Sequence, residues 1–352
     1  MNAPRLQKLA LLLVATATTL IVGELAARVV FRDTTTTADN RSYFALEWKR
    51  THVRLNRLGF REREIEPKLA GGYRVAFIGD SFAFGQGIDE SERMSNLLEG
   101  ALRKRAPNVD VLNFGNPGNN TADEVAVLQE VLATAHPDFV LLQWFVNDVE
   151  NKGPAGGDQS SLEPEPSSVN RFKQWMRNTS VVYFLVAEAW HRVLDSVGMS
   201  YADELFRRVG DPESADSLAA DAALTTFIDT CRSRHVGVSV VLVPSLVGLK
   251  NGKNYPFSYL HERVLSRCAR EGIQCLDLLD TFRPYLSRPD YQRLWVNRFD
   301  SHMGRLANRL AAERLVDLVQ PLVLGSEPSS ARHAVVTARE AVNVVAGSER
   351  RR

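Results

Sequence analysis

Cysteine is scarce in this chain. There are three in 352 residues, Cys231, Cys268 and Cys275, and none has the paired spacing of a structural zinc site, so a zinc module is not expected. An excess of charge of one sign is lacking too: 43 Lys and Arg face 42 Asp and Glu, a formal +1. Such a balance gives no general pull toward nucleic acid or other polyanions. No internal repeat is present, and only one stretch, at the amino terminus, looks foreign to a soluble fold. The remaining composition is that of an ordinary globular protein, and the length suits one large α/β domain with attachments.

The exceptional stretch begins with Arg5 and Lys8. Leu9–Gly23 follows without a charge, and Leu25–Phe31 extends it past Glu24, interrupted only by Arg28. A positive head before an apolar run reads as a signal anchor or a signal peptide. The uncharged part is short for a complete span. Ala15-Thr16-Ala17 offers a small-x-small cleavage site, but little apolar chain precedes it, and no cysteine follows to carry a lipid. The expectation is an uncleaved membrane anchor over residues 1–32, its positive head cytoplasmic and the rest exported. A cleaved secretory signal and a buried amphipathic helix are the other readings. Residues 33–72 then read as a polar, threonine-rich tether (Asp33–Asn40) and an irregular segment wrapping the edge of a sheet.

From Tyr73 strands and helices alternate. Arg74–Gly79 is an apolar, β-rich run of the kind buried on both faces. A helical pattern follows over Glu90–Arg105, then a strand at Val109–Phe114. Thr121 reads as a helix cap with Glu124 completing a capping box, and that helix runs to Ala135. A third strand covers Phe139–Val146. Beyond it, residues 151–212 read as an insertion, a Gly/Pro/Ser-rich loop followed by helices rich in Phe and Trp through Phe206. Alternation resumes with a helix Ser217–Arg234, strand Val238–Val243, helix Tyr259–Arg270 and strand Ile273–Leu278. After a loop holding Trp295, Asp300-Ser301-His302 opens a last helix through Val323. The tail, 325–352, reads as disordered, with a short helix at Ala334–Ala346. Five strands with crossover helices imply a parallel sheet covered on both faces, a flavodoxin-like three-layer α/β/α domain over residues 73–324.

Open sheets of this kind bind ligands at the carboxyl edge of their strands. Three strand ends deliver polar groups there: Ser81 after the first, Gly118 after the second, Asn147 after the third. Asp300 and His302 arrive in the loop before the last helix. Acyl transfer needs this inventory of a hydroxyl nucleophile, a base, a group that orients the base, and donors aimed at an oxyanion. The blocks Gly79-Asp80-Ser81, Asn113-x-Gly115-x-Pro117-Gly118, Val146-Asn147-Asp148 and Asp300-x-His302 resemble, in order and spacing, those of the SGNH (GDSL-type) hydrolases. The general layout is similar to a membrane-anchored bacterial branch of that family.

The resemblance implies that Ser81 is the nucleophile, His302 the general base and acid, and Asp300 its orienting carboxylate. It implies an oxyanion hole made by the backbone N–H groups of Ser81 and Gly118 and the side-chain amide of Asn147. Two departures stand out. Phe145 replaces a glycine usual two residues before the asparagine, and Asp300 and His302 are separated by one residue where the family usually has two. With that shorter spacing, a backbone carbonyl is the alternative partner for the imidazole. The Gly-x-Ser-x-Gly elbow of other α/β hydrolases is not met, since Ala83 stands at its second glycine.

The implied activity is serine esterase action on a carboxylic ester, with no cofactor and no metal, on an ester or acylated-carbohydrate substrate and not on nucleic acid. An O-acyltransferase or deacetylase of envelope polysaccharide fits the same residues. A non-catalytic binding protein on this fold and a flavin-binding protein with Ser81–Gly87 around phosphate are further alternatives. Asp80 and Asp148 read as turn-stabilising residues. His52, His136, His191, His235, His261 and His333 read as surface or interface residues. In an exported domain, Cys268 and Cys275 are placed to pair across a helix end and the next strand.

Overall fold

The structure, a computed structural model, describes residues 3–149, 168–197, 213–247, 255–286 and 291–325. Parts of the 151–212 insertion, the tail beyond 325, its short helix and His333 lie outside the described residues. Five strands form one parallel sheet: β1 (Tyr73–Gly79), β2 (Val109–Gly115), β3 (Phe139–Trp144), β4 (Gly237–Leu242) and β5 (Cys275–Asp277). Their order is β2-β1-β3-β4-β5, the flavodoxin-like arrangement, whose switch point lies between β1 and β3.

Alternating side chains of β1 feed two cores, as the period of a strand requires. Val75 and Phe77 pack on one face with Leu98 and Leu102 of α4 (Met94–Leu102), and with Ala311, Leu315 and Val319 of α11 (Arg305–Gly325). Ala76 and Ile78 pack on the other face. There they meet α5 (Thr121–Thr134), α8 (Ala215–Ser233) and α9 (Ser258–Glu271) through Leu128, Phe227 and Val264. The result is a three-layer α/β/α domain. Cys268 at the end of α9 and Cys275 in β5 are joined by a disulfide, and Cys231 is buried and free.

Two readings of the amino-terminal third are corrected. The segment read as irregular contains α2 (Tyr43–His52), capped by the Ser42 hydroxyl, which accepts from the Ala45 N–H; Phe44, Ala45 and Trp48 are buried. The stretch read as a polar tether is packed against the domain. Thr36 and Thr37 are buried, the Ala38 N–H donates to the Phe299 carbonyl at 3.0 Å, and the Asn297 amide donates to the Thr36 carbonyl at 2.8 Å. Apolar and threonine side chains there find partners that sequence periodicity could not announce. The first helix, α1 (Ala3–Val30), is long and apolar enough over Gln7–Val30 to cross a membrane.

Elements near the carboxyl end also differ from expectation. The stretch leading to Trp295 contains α10 (Leu279–Leu286), and Asp300 and His302 lie in a strand, not a loop. That strand, β7 (Asp300–Met303), pairs antiparallel with β6 (Trp295–Asn297). His261 is a core residue 2 % exposed, its Nδ1 2.9 Å from Asp277, where the sequence reading had a surface residue.

One buried cation ties the amino-terminal segment to the turn that follows β1. The Arg61 guanidinium donates to the carbonyls of Gly85 (2.9 Å), Ile88 (3.0 Å), Phe84 (3.2 Å) and His52 (3.3 Å). It lies under Trp48, 5.0 Å from the ring centroid. Burial, with Arg93 nearby, lowers its pKa to about 10, so it still carries its charge at neutral pH. Arg61→Ala strips several buried carbonyls of their donor and should cost about 2–4 kcal/mol. Chemical denaturation of the variant would register this as a lower midpoint.

Candidate active site

The turn after β1 is fixed from several sides before Ser81 is considered. Asp80 caps the four-residue helix α3 (Ser81–Phe84), its Oδ1 accepting from the Phe82 N–H at 2.9 Å. Gln143 of β3 accepts through Oε1 from the Asp80 N–H (3.2 Å) and the Ala83 N–H (3.1 Å). From β2, the Asn113 amide donates to the Ala83 carbonyl at 2.7 Å. A Cβ at Gly115 would lie 2.7 Å from the Ala83 carbonyl carbon, so only glycine lets the second strand end this close to the serine turn.

Ser81 therefore points its hydroxyl from a rigid platform. Its Oγ lies 2.8 Å from His302 Nε2. The other ring nitrogen, Nδ1, lies 2.5 Å from Asp300 Oδ1, which also accepts from the His302 backbone N–H at 3.0 Å. Asp300 is fully buried, and the His302 side chain is 17 % exposed. The short Asp-x-His spacing works because both residues sit on a strand, where positions i and i+2 share a face. Burial opposes a charged imidazole at His302, yet the Asp300 carboxylate, with Asp80 behind it, outweighs this and raises its pKa. An imidazole so held accepts a proton readily, while the carboxylate fixes which nitrogen faces the hydroxyl.

Asn147 sits in a 3-10 turn, Val146–Val149, just past β3. Its Nδ2 donates to Asp80 Oδ2 at 3.1 Å, which orients the amide beside the serine turn and leaves its second hydrogen for another acceptor. Gly118 lies on the turn after β2 with φ +87°, a left-handed conformation that favours glycine. This turn is stitched to the serine turn by the Asn116 N–H donating to the Gly79 carbonyl at 2.9 Å. The Phe145 ring lies 4.3 Å from that of Phe82, which in turn lies 4.8 Å from His302. Aromatic surface thus flanks the imidazole where a glycine would leave space.

Behind this arrangement lies a group that the sequence reading missed. The cap of α5 is Asn120, paired reciprocally with Asp123 in a capping box, and not Thr121 with Glu124. The shift of one residue turns Glu124 inward, fully buried. It sits against Asp148, whose carboxylate accepts from the Phe145 N–H (2.5 Å) and the Thr121 hydroxyl (2.9 Å). Burial pushes both Glu124 and Asp148 well above the usual carboxyl range, helped at Glu124 by the negative charges of Asp148 and Asp80 and at Asp148 by that of Asp80. Asp80, also fully buried, is raised by burial against the donors around it. The sequence signal for Gln143 was a lone amide inside an apolar strand. For Glu124 there was none, because a first-turn glutamate ordinarily faces solvent.

Among the described residues, no group of three His, Cys, Asp or Glu side chains is set to hold a metal ion. His52, His136, His191 and His235 are distant in sequence from these blocks and exposed.

The family model for GDSL-like lipase/acylhydrolase proteins matches residues 77–310. Among solved structures, the acetyl xylan esterase AlAXEase is 16% identical, covering 70% of this chain and 99% of that one, with a TM-score of 0.45. The lipase/acylhydrolase from Enterococcus faecalis is 13% identical, covering 70% of this chain and 95% of that one, with a TM-score of 0.43. No curated protein shows significant sequence similarity to the chain.

The buried carboxyl pair has a measurable consequence. Unfolded carboxyls ionise near pH 4, whereas Glu124 and Asp148 hold a proton to higher pH when folded. The folded state then binds more protons, so the pair's contribution to stability is complete at low pH and lost as pH rises through its raised pKa. Glu124→Gln keeps the shape and removes the titration. Melting temperatures measured upward from about pH 4 should show a decline for the native protein that is smaller for this variant.

Proposed function

The chain belongs to the GDSL-like lipase/acylhydrolase family, a serine hydrolase therefore, and from that premise we propose that it cleaves a carboxylic ester through an acyl-enzyme on Ser81. The observation that carries this reading is the unbroken run from Ser81 Oγ to His302 Nε2 (2.8 Å) and from His302 Nδ1 to Asp300 (2.5 Å). In this mechanism Ser81 Oγ attacks the ester carbonyl carbon while its proton passes to His302 Nε2. Asp300 stays ionised, holds the ring's Nδ1–H and stabilises the imidazolium. The oxyanion of the tetrahedral intermediate takes donors from the Ser81 and Gly118 backbone N–H groups and from Asn147 Nδ2. Asp80 holds that amide in place. His302 then returns the proton to the departing alkoxide, and the C–O bond to the alcohol breaks. A water molecule, deprotonated by the same imidazole, releases the acid and restores Ser81.

The proposal extends to location. α1 serves as an amino-terminal anchor, with Arg5 and Lys8 on the cytoplasmic side and the catalytic domain exported. The Cys268–Cys275 disulfide supports export, since such bonds persist in oxidising compartments.

A fluorophosphonate probe should label the protein at Ser81 and leave Ser81→Ala unlabelled; mass spectrometry of the labelled peptide decides it. Asn147→Ala should lower kcat on a nitrophenyl ester by about 100- to 1,000-fold, the usual loss for one oxyanion donor.

The pH profile tests the role of Asp300. Only the neutral imidazole accepts the Ser81 proton, so kcat/KM should fall as pH drops through the pKa of His302. That pKa is raised, so the acid limb should lie above an ordinary histidine's. Asp300→Asn removes the carboxylate that raises it. The limb should move to lower pH while kcat drops by about 10⁴-fold, the scale known for triads.

A further inference from the structure

We propose that α6 (Ser168–Thr179) and α7 (Val181–Ser196) form a second membrane-contacting element that, clamped to α1, holds the catalytic hairpin at the surface of the bilayer. The inference rests on the reading of α1 as a membrane anchor.

The clamp is made by Glu24 and Arg28, the two charged residues near the carboxyl end of the apolar helix. Glu24 accepts from the Ser180 hydroxyl (2.8 Å) and from the Val181 and Val182 N–H groups (3.0 and 3.1 Å). Those N–H groups open α7 and have no partner within their own helix. Arg28 donates to the Thr179 carbonyl at 2.7 Å, at the other side of the same joint. A carboxylate inside a membrane segment needs a defined set of donors, and a helix start needs an acceptor. Each satisfies the other here. Glu24 lies six residues before Val30, the end of the span, or about 9 Å along the helix axis. The start of α7 is thus fixed at headgroup depth or below.

What α7 presents from that joint is apolar. Val186, Trp190 and Val193, with Val197 just past the end of the helix, follow at spacings of four, three and four, the spacing of one helical face, and are 66%, 62%, 52% and 63% exposed. On α6, Phe172 and Trp175 are exposed with rings 5.8 Å apart, beside the exposed cations Arg171 and Lys173. Exposed aromatics with basic neighbours are the composition of an interfacial helix. A lipid surface is the occupant because this patch continues, through the Glu24 clamp, the exposed apolar surface of α1 itself. On α1, Leu11, Val14, Leu20, Val22 and Val29 are 59–69% exposed.

The consequence reaches the chemistry. Phe31, the residue after α1, packs on Phe299 with ring centroids 6.0 Å apart. Phe299 also meets Phe184 of α7 at 5.3 Å, and it immediately precedes Asp300. No flexible spacer separates the anchor from the hairpin that carries Asp300 and His302. Esters carried by molecules in the same leaflet are therefore the substrates best placed to reach Ser81.

The test uses the full chain in phosphatidylcholine vesicles, with and without brominated acyl chains. The anchored protein should survive an alkaline carbonate wash. Its tryptophan fluorescence should be quenched by the brominated lipid, and most of that quenching should disappear in the Trp175→Phe/Trp190→Phe variant, which keeps aromatic rings at both exposed positions. Retention through the wash with equal quenching in the native protein and the variant overturns the inference. So does quenching of Trp175 and Trp190 by aqueous iodide in the vesicle-bound protein. Release by the wash overturns the anchor reading itself, and this inference with it.

Discussion

A carboxylate with no exposure to water, Asp80, is where the ends of separate strands are joined. One oxygen takes the Phe82 N–H that starts α3, the other takes the Asn147 amide from beyond β3, and its field reaches His302. Burying such a group is costly unless donors surround it, and those donors are parts of the site. The arrangement makes the platform of the serine and the orientation of the asparagine one cooperative unit. Behind it, Glu124 and Asp148 are buried against each other with raised pKa values, and Asp148 in turn accepts from the Phe145 N–H. Polar networks of this kind are high in stakes, because a half-satisfied one is worse than an apolar core.

The approach of the histidine follows different rules. It comes from neither the end of a sheet strand nor a long loop, but from a two-stranded hairpin beside the main sheet. On a strand, residues two apart face the same way, so Asp300 and His302 meet without the additional residue that a helical turn would need. The one-residue spacing, a departure from the usual family pattern, is thereby accommodated by a change of local conformation. The same hairpin is braced by the chain that leaves α1, through Ala38 on Phe299 and Asn297 on Thr36. The hairpin of Asp300 and His302 and the end of α1 are therefore not independent parts of this molecule.

The alternation of apolar runs and helical patterns from Tyr73 onward carried the fold, because a strand buried on both faces and an amphipathic helix have distinct periods. The serine and asparagine blocks were legible because turns at strand ends are short, with polar residues in known order, whereas the strand that carries Asp300 and His302 is too short to show a period. The amino-terminal third was less legible. α2 is short, and the buried threonines of residues 34–38 have no period to betray that they bind another part of the chain. The inward turn of Glu124 was hidden by a capping pattern that works equally well one residue earlier, with Asn120 and Asp123.

By itself the sequence determined the alternation of the five sheet strands with their crossover helices, the polar residues at the strand ends, and an apolar helix at the amino terminus. All of these are encoded locally, in periodicity and in turn residues. Only the tertiary structure decided which oxygen faces which ring nitrogen, which carboxyls are buried against each other, and how closely the chain after α1 is sewn to the hairpin of Asp300 and His302. Those outcomes depend on contacts between residues as far apart as Ser81 and His302, or Glu24 and Val181, and on the exclusion of water around them. No local pattern in a chain records either.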